Sequence, residues 1–298
     1  MRRSDLILSL SRRLLLLLCF FVLGYALTTG LSLIAGKLIT GNEAAYLRII
    51  TVIQDLIIFI LPAIATACLV CRKPAELLAL GREPSGVSLL CIAIILTVSI
   101  PAMESLIYWN AGLHFPASLA DFEAAARQME ATASGLVETL LRSNTGLAGL
   151  VLNLMITGIM AGFSEELLFR GCFQRLLTTG GVNKHVAVWT VAFVFSAFHF
   201  QIFGFVPRML LGAYFGYLLI WTRSIWAPML AHTLNNSIYV VAAWLQLQHN
   251  PGAPLSSDSA GELYPPAVIA ISVAATAAAL ALMYSSNKKR FAKLQGNN

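Results

Sequence analysis

Charged side chains are scarce in this sequence. Only 11% of its 298 residues are Asp, Glu, Lys or Arg, whereas soluble domains carry about 25%. Hydrophobic residues make up 58%, a balance that excludes an ordinary soluble domain and favours a chain crossing a membrane several times. The net charge of +6 comes from basic residues in short loops and tails, without a nucleic-acid motif. We therefore expect a lipid bilayer around the protein and no nucleic-acid partner.

Cysteine is also infrequent, and the common hydrolase motifs are missing. The five cysteines lie in or beside apolar segments, so we expect no disulfide framework and interpret Cys68-x-x-Cys71 as apolar packing. No His-Glu-x-x-His zinc motif occurs. Ser164 and Ser196 lack the Gly-x-Ser-x-Gly context of a nucleophilic serine. Serine and cysteine catalysis are therefore disfavoured.

Long apolar runs dominate the chain instead. A helix needs roughly 20 apolar residues to cross a bilayer core of ~30 Å. By that rule we predict about eight spans, approximately at 14–36, 49–70, 87–109, 146–169, 186–201, 204–222, 225–246 and 264–284. No small-x-small cleavage site ends the first apolar run, so we expect an uncleaved span there. The predicted fold class is an all-α, polytopic membrane helical bundle that forms one structural domain.

The basic residues predict the orientation in the membrane. They fall on one side of the bundle, which should be cytoplasmic together with both termini. The residues concerned are Arg2, Arg3, Arg12, Arg13, Arg72, Lys73, Arg82, Arg175, Lys184, Arg223, Lys288, Lys289, Arg290 and Lys293. The loop 246–263 carries Asp258 and Glu262 but no Lys or Arg, which suits the opposite side. We expect a multi-pass protein of a bacterial inner membrane.

Within the single domain we distinguish three parts. Residues 1–145 hold the first three spans, residues 146–246 form a motif-bearing core, and residues 247–298 hold a loop, the last span and a basic tail. The polar insertion 116–142 repeats apolar residues at helical spacing opposite Glu123, Arg127 and Glu130. This pattern predicts an amphipathic helix on the outer membrane surface, with a lid over the site as the alternative.

The most informative stretch is 162–171, in the fourth predicted span. It places Glu165, Glu166 and Arg170 inside an apolar helix. An ionisable side chain near mid-membrane costs at least ~2.5–3.5 kcal/mol, so such residues usually have a function. Glu166 and Arg170 are spaced i,i+4 and should pair, which offsets the cost of burying both charges. Glu165 points about 100° away from Glu166 and is then available to face a site.

Two later spans each contribute a histidine that can meet these acids. Glu165 lies about 16 positions before the turn at Gly180-Gly181 and His199 about 17 after it, so an antiparallel hairpin puts them at similar depth. His232 and Asn236 are spaced i,i+4 and share a helix face. A carboxylate beside an imidazole can act as general base on a water, with His199 helping to hold that water. His232, as a neutral ring, and Asn236 can donate hydrogen bonds to an oxyanion.

Other readings of these residues stay open. Intramembrane acids also serve proton-coupled transporters, and a catalytically silent immunity or scaffold protein would need no hydrolysis. Asp55 and Glu104 are charged residues with apolar flanks that we assign to helix packing or polar partners, with membership of one of them in the catalytic set as the alternative. Gly212 and Gly216, spaced four apart, predict close packing of the sixth span with no chemistry attached.

Three motifs together resemble a known family. Glu165-Glu-Leu-Leu-Phe-Arg170, Phe195-Ser-Ala-Phe-His199 and His232-Thr-Leu-Asn-Asn236 resemble those of the CPBP (Abi) family of intramembrane proteases. This family is related to CAAX prenyl endopeptidases and to bacteriocin-processing or immunity proteins, and the resemblance covers roughly 147–241. It implies an eight-helix bundle that hydrolyses a peptide bond of a membrane-anchored protein or peptide.

The resemblance also implies roles for individual residues. Glu165 and His199 would activate water, His232 and Asn236 would stabilise the oxyanion, and Glu166 with Arg170 would support them. The family has been described both as glutamate-type and as metal-dependent. We prefer a reaction that requires no cofactor. The alternative is a divalent metal such as zinc, held by Glu165, His199 and His232.

Overall fold

The computed structural model describes residues 6–252, 255 and 264–296. The predicted all-α class is confirmed. The helices are α1 Leu10–Leu38, α2 Glu43–Val70, α3 Pro74–Leu77, α4 Gly86–Val98, α5 Ile100–Ala111, α6 Ala120–Arg142, α7 Leu147–Thr179, α8 Lys184–Ala197, α9 Phe205–Thr222, α10 Trp226–His249 and α11 Pro266–Gly296.

Each of the eight predicted spans falls on a helix or on the bent pair α4–α5. Within the described residues, five helices are long and apolar enough to cross a membrane, or six if the bent pair is one span. The chain is therefore an integral, multi-pass membrane protein. α8 has 14 residues, fewer than the roughly 20 that a bilayer core requires, so the count of eight stays a prediction. The orientation in the membrane also stays a prediction. Of the residues on which it is based, Arg2, Arg3, Asp258 and Glu262 lie outside the described part of the chain.

The third predicted span is not one continuous helix. It breaks between Val98 and Ile100, and the two halves meet at a bend of 50°. Pro101 lies in the first turn of α5. Proline has no backbone N–H to donate and its ring clashes with the preceding turn, so a helix bends or ends there.

Two long helices contain widened, π-helical turns near the polar residues singled out above. In α2 such a turn covers Asp55–Ile60, and in α7 two of them cover Leu154–Met160 and Leu167–Gln174. The second turn of α7 starts directly after Glu166. π-helical turns cost hydrogen-bond quality and occur mostly at functional sites. The backbone of α7 is thus irregular on both sides of Glu165 and Glu166.

Close packing of α10 on α7 brings the histidine-bearing helix to the acids. Gly162 lies three residues before Glu165, and a Cβ atom built on it would be 2.8 Å from the Thr233 backbone nitrogen. Any larger residue at position 162 would therefore push α10 away. Because Thr233 directly follows His232, this glycine sets the distance between His232 and the acids of α7.

The polar insertion forms the amphipathic helix α6. Its polar side chains face the protein: the Glu130 carboxylate accepts the Phe203 backbone N–H (3.2 Å), and the Arg127 guanidinium lies 3.9 Å from the centre of the Phe203 ring. In its first half the larger apolar side chains point outward, with Phe122 49% and Met129 51% exposed, whereas Leu140 and Leu141 near its end are buried. An outward apolar face suits contact with lipid. The polar face contacts the turn that follows His199, close to the candidate site.

Glu123 anchors the start of α6. Its carboxylate accepts the Phe115 backbone N–H (2.7 Å) and pairs with Arg127 (2.8 Å). These contacts, the Phe115 N–H first, lower the pKa of Glu123 from 4.5 to about 2. Because the folded pKa is the lower one, the anchoring is fully present above about pH 4.5 and is lost as the pH falls towards 2.

We expect Glu123→Gln to loosen this anchor at neutral pH, because the charge on the acceptor is removed. The protection factor of the Phe115 amide, its intrinsic exchange rate at each pH divided by the observed rate, should be lower than in the parent. It should change little between pH 4.5 and 2, where the parent loses protection. Glu138→Gln is the matched control, since Glu138 pairs with Arg142 on the same helix (2.6 Å). Equal exchange of the Phe115 amide in both variants would contradict the anchoring role.

Candidate active site

The core of the candidate site is a buried ion pair on α7. Arg170 donates from Nη1 to Oε1 of Glu166 (2.6 Å), and neither side chain is exposed. Nη2 of Arg170 donates to the backbone oxygen of Gly212 on α9 (2.8 Å). The pairing predicted from the i,i+4 spacing is confirmed. The close packing predicted at Gly212 is found as well, and it additionally supplies a carbonyl that fixes the arginine.

Glu166 also holds His232. The Nδ1 atom of His232 lies 2.9 Å from Oε1 of Glu166, and the ring stacks on Phe215 with a centroid distance of 4.9 Å. A carboxylate only accepts hydrogen bonds, so Nδ1 carries a proton. A neutral ring in this arrangement has a lone pair on Nε2. The expected oxyanion donor therefore cannot be a neutral His232.

His199 lies just beyond the end of α8, not inside a helix. The predicted span ran to residue 201, but α8 ends at Ala197, and Phe200 has the left-handed backbone angle φ of 54°. The Nδ1 atom of His199 lies 2.9 Å from the backbone oxygen of Phe195. A carbonyl accepts only, so Nδ1 carries the proton. In the neutral ring, Nε2 is then the atom able to accept a hydrogen bond from water.

Phe195 explains why its motif begins with an aromatic residue. Besides fixing the His199 tautomer through its carbonyl, it places its ring edge-on to both imidazoles, with centroid distances of 5.1 Å to His199 and 5.8 Å to His232. The same ring lies 4.5 Å from the Arg170 guanidinium carbon. One buried phenylalanine thus packs between the residues of all three motifs.

Glu165 and His199 line one cavity of about 470 Å³, a size typical of ligand pockets. One carboxylate oxygen of Glu165, Oε2, is buried and has no hydrogen-bond partner among the described residues. Glu165 is also within electrostatic range of His232. The lining of this cavity does not include His232 or Asn236. Asn236 donates one amide hydrogen to the backbone oxygen of Thr157 (3.1 Å), which leaves its second hydrogen for another acceptor.

Glu165, His199 and His232, the predicted zinc ligands, do not form a metal-binding group in the described part of the chain. Within the described ranges, no three His, Cys, Asp or Glu side chains are close enough together to hold a metal ion. His232 already uses Nδ1 on Glu166, and Glu165 and His199 meet at the cavity without a third ligand. We therefore derive no step through a metal.

Two further polar residues lie at the site: Asp55, whose membership the sequence left open, and Arg208, which the sequence did not single out. Asp55 on α2 is buried, accepts a hydrogen bond from Ser164 Oγ (2.9 Å) and is within electrostatic range of Glu165 and His232. The expectation of a polar partner for Asp55 is thus confirmed, next to the site. Arg208 on α9 donates to Gln201 Oε1 (2.7 Å) and is within electrostatic range of Glu165. The same membrane-cost argument that singled out Glu165 applies to this lone arginine of the sixth span.

Comparison with known proteins identifies the segment that carries these motifs. Residues 147–238 match the family model described as type II CAAX prenyl endopeptidase Rce1-like. The uncharacterized protein YpbD of Bacillus subtilis (strain 168) is 26% identical over 95 residues. That alignment covers 30% of this chain and 44% of YpbD, so the chain spans less than half the length of this relative. No solved structure matches the chain. The family resemblance indicated by the three motifs is confirmed, and residues 147–238 are similar to the Rce1-like endopeptidases.

Proposed function

We propose that this protein is an intramembrane endopeptidase that hydrolyses a peptide bond of a membrane-associated protein or peptide. The observation that carries the proposal is the shared cavity of Glu165 and His199, with one Glu165 oxygen buried and unpartnered among the described residues. A carboxylate that shares a cavity with an imidazole suits a general base acting on a water molecule. The Rce1-like match of residues 147–238 supports the same reaction class.

In the proposed reaction, Glu165 takes a proton from a water molecule. Nε2 of His199 accepts a hydrogen bond from the other O–H of that water. The water oxygen attacks the carbonyl carbon of the substrate, and the carbonyl oxygen becomes an oxyanion. Glu165 then gives its proton to the leaving amine nitrogen, and the carbon–nitrogen bond breaks. The role of Glu165 as base and then acid balances the protons without a further group.

We assign the oxyanion to His232 and Asn236 on α10. Neither residue lines the cavity of Glu165 and His199, so this role requires the substrate carbonyl to point from the cavity towards α10. Because His232 uses Nδ1–H on Glu166, it donates from Nε2–H as a doubly protonated ring, and the Glu166 carboxylate offsets that positive charge. Asn236 contributes the amide hydrogen that Thr157 leaves free. Preorganised donors of this kind are each worth about 10²–10³ in rate.

We place the enzyme in the bacterial inner membrane, with a membrane-anchored protein or peptide as substrate. Candidates are C-terminally anchored proteins, leader peptides and peptide signals, and prenylated CAAX proteins only if the host makes them. No cofactor is required on this proposal. A divalent ion such as zinc is the alternative that the residue types allow.

The test is cleavage of a membrane-anchored peptide by the purified protein in lipid nanodiscs. We expect cleavage that continues after treatment with a chelator. Loss of activity on chelation, restored by Zn²⁺, would contradict the metal-free mechanism but not the endopeptidase. Absence of cleavage over a panel of anchored peptides would contradict the function itself. Substrate flux across proteoliposomes without cleavage would favour a transporter, and a cellular phenotype unchanged by Glu165→Ala would favour a silent scaffold.

A further inference from the structure

The cavity at Glu165 and His199 has a wall that the family segment does not supply. Four residues of α1 line it: Tyr25, Thr28, Thr29 and Ser32. All four carry hydroxyl groups, and their spacing of i, i+3, i+4 and i+7 puts them on one face of the helix. α1 lies far outside the matched residues 147–238. We call these four residues the hydroxyl face of α1.

The position of this face is fixed by backbone packing. A Cβ atom built on Gly24, next to Tyr25, would come within 2.5 Å of the backbone oxygen of Ile57 on α2. The two helices therefore touch beside the cavity, and α2 adds the exposed amide of Gln54 to its lining. This contact fixes α1 against α2 beside the cavity, while Tyr25 itself stays 58% exposed.

The hydroxyl groups of this face differ in their hydrogen bonds. Thr29 and Ser32 donate to carbonyls of their own helix, to Tyr25 (2.9 Å) and Thr29 (2.8 Å), as hydroxyls in membrane helices commonly do. Their oxygens can still accept. Thr28 is different: its Oγ1 is buried and lacks a hydrogen-bond partner among the described residues. A buried hydroxyl without a partner costs roughly 1–3 kcal/mol on protein mutational data, so a ligand that supplies the partner would recover it.

Four phenylalanines also line the cavity. They are Phe59, Phe169, Phe198 and Phe200, which we call the phenylalanine wall, and Glu165 and His199 line the same cavity. The cavity therefore offers hydrogen bonds along the row of hydroxyl groups and apolar surface at these rings. This combination fits a peptide main chain flanked by apolar side chains.

Peptide hydrolysis in an apolar environment creates a need for such a row. A helical substrate must unwind before its carbonyl can be attacked, and each backbone group that loses its partner away from water costs several kcal/mol. The hydroxyl face extends over seven helical steps, about 10.5 Å at 1.5 Å per residue. An extended chain rises about 3.3 Å per residue, so the row matches about three residues of substrate.

We propose that the hydroxyl face of α1 binds the main chain of an unwound substrate segment beside Glu165 and His199, while the phenylalanine wall binds its apolar side chains. The proposal rests on the proposed endopeptidase function and defines its substrate as a segment with apolar residues at the cleavage point that binds in extended form. Thr28 and Ser32 supply hydrogen bonds to backbone N–H and C=O groups of this segment.

The test is the kinetics of Thr28→Val and Ser32→Ala with a cleavable anchored peptide. Removal of one hydrogen bond typically changes an equilibrium by about 2- to 12-fold, and we expect a rise of KM in that range for each variant with kcat nearly unchanged. Thr28→Ser keeps a hydroxyl group at this position, so its KM should lie within about twofold of that of the parent. Thr97→Val is the control, because Thr97 donates to Ala93 of its own helix and is exposed outside the cavity.

Ester substrates identify the bonded groups. Replacing one substrate amide N–H near the cleavage point by an ester oxygen should weaken binding to the parent. The same replacement should weaken binding to Thr28→Val only slightly, because the hydroxyl group that bonds this part of the substrate is already absent. Unchanged KM in both α1 variants would overturn the proposal. It would also be overturned if, for every ester tested, the combined effect of the ester and of Thr28→Val equalled the product of their separate effects. In either case cleavage itself would persist, so the endopeptidase function would stand.

A binding measurement decides the proposal even without turnover. A photoreactive amino acid is placed at Thr28 or at Leu33, which is 67% exposed on the same helix, in the Glu165→Gln background with an anchored peptide. We expect crosslinking at position 28 to exceed that at position 33 by several-fold. Equal or weaker crosslinking at position 28 would overturn the proposal.

Discussion

Replacing Glu165 by Gln is expected to abolish peptide cleavage while the protein stays folded. General acid–base groups contribute about 10²–10⁴ in rate, and Glu165 serves in both steps, so the loss should be at the upper end of this range. Folding should be unaffected, because the amide has nearly the same shape and the buried Oε2 of Glu165 has no hydrogen-bond partner among the described residues. Cleavage rate and thermal unfolding are measured on the same preparation in nanodiscs.

The matched control for this prediction is Glu104→Gln. Glu104 is also an acid with apolar flanks, but it lies on α5 and accepts a hydrogen bond from the Tyr264 phenol, away from the cavity. This variant should cleave within about twofold of the parent. Retention of most activity by Glu165→Gln would remove the proposed general base, and a second variant, His199→Ala, would then show whether the cavity is used at all.

Arg170→Met is expected to produce the largest loss of stability. Removing one partner of a buried ion pair typically costs about 3–5 kcal/mol, because the remaining charge stays buried without its partner. Here Glu166 would be left with His232 alone, and the carbonyl of Gly212 would lose its donor. We expect a marked fall of the unfolding temperature and loss of cleavage, whereas Glu165→Gln should lose cleavage only.

Arg142→Met is the control for the buried pair. Arg142 makes the same i,i+4 contact with Glu138 (2.6 Å), but both side chains are about one-third exposed. Pairs near the surface contribute about 0–1 kcal/mol, so this variant should unfold close to the parent. The double variant Glu166→Gln/Arg170→Met should be less destabilised than the sum of its single changes, because no charge is left unpaired. If Arg170→Met unfolded like Arg142→Met, the buried pair would not stabilise the site.

The two predictions test two neighbouring charged sites on α7. Glu166 and Arg170 pair with each other, although Oε2 of Glu166 and Nε of Arg170 have no hydrogen-bond partner among the described residues. The buried Oε2 of Glu165 likewise lacks a partner there. What distinguishes Glu165 is its place in the lining of the cavity, which Glu166 and Arg170 do not share.

Much of the site could be predicted because helices convert spacing into geometry. The i,i+4 separation of Glu166 and Arg170 predicts their pairing, and nearly equal distances from the Gly180-Gly181 turn predict a common depth for Glu165 and His199, which line one cavity. The apolar runs likewise determined the all-α membrane fold, since only segments that satisfy their own backbone hydrogen bonds can cross a bilayer as single chains. These features depend on residues near one another in the sequence or on simple counting.

Tertiary structure decided what depends on contacts between distant helices. The sequence did not show that Nδ1–H of His232 would donate to Glu166 or that Asp55 would accept a hydrogen bond from Ser164. It also did not show that one face of α1 would line the cavity. Nor did it show where α8 ends, because the left-handed turn at Phe200 is held by its surroundings and not by a glycine. Helical periodicity fixes which residues share a face, but only packing decides what that face meets.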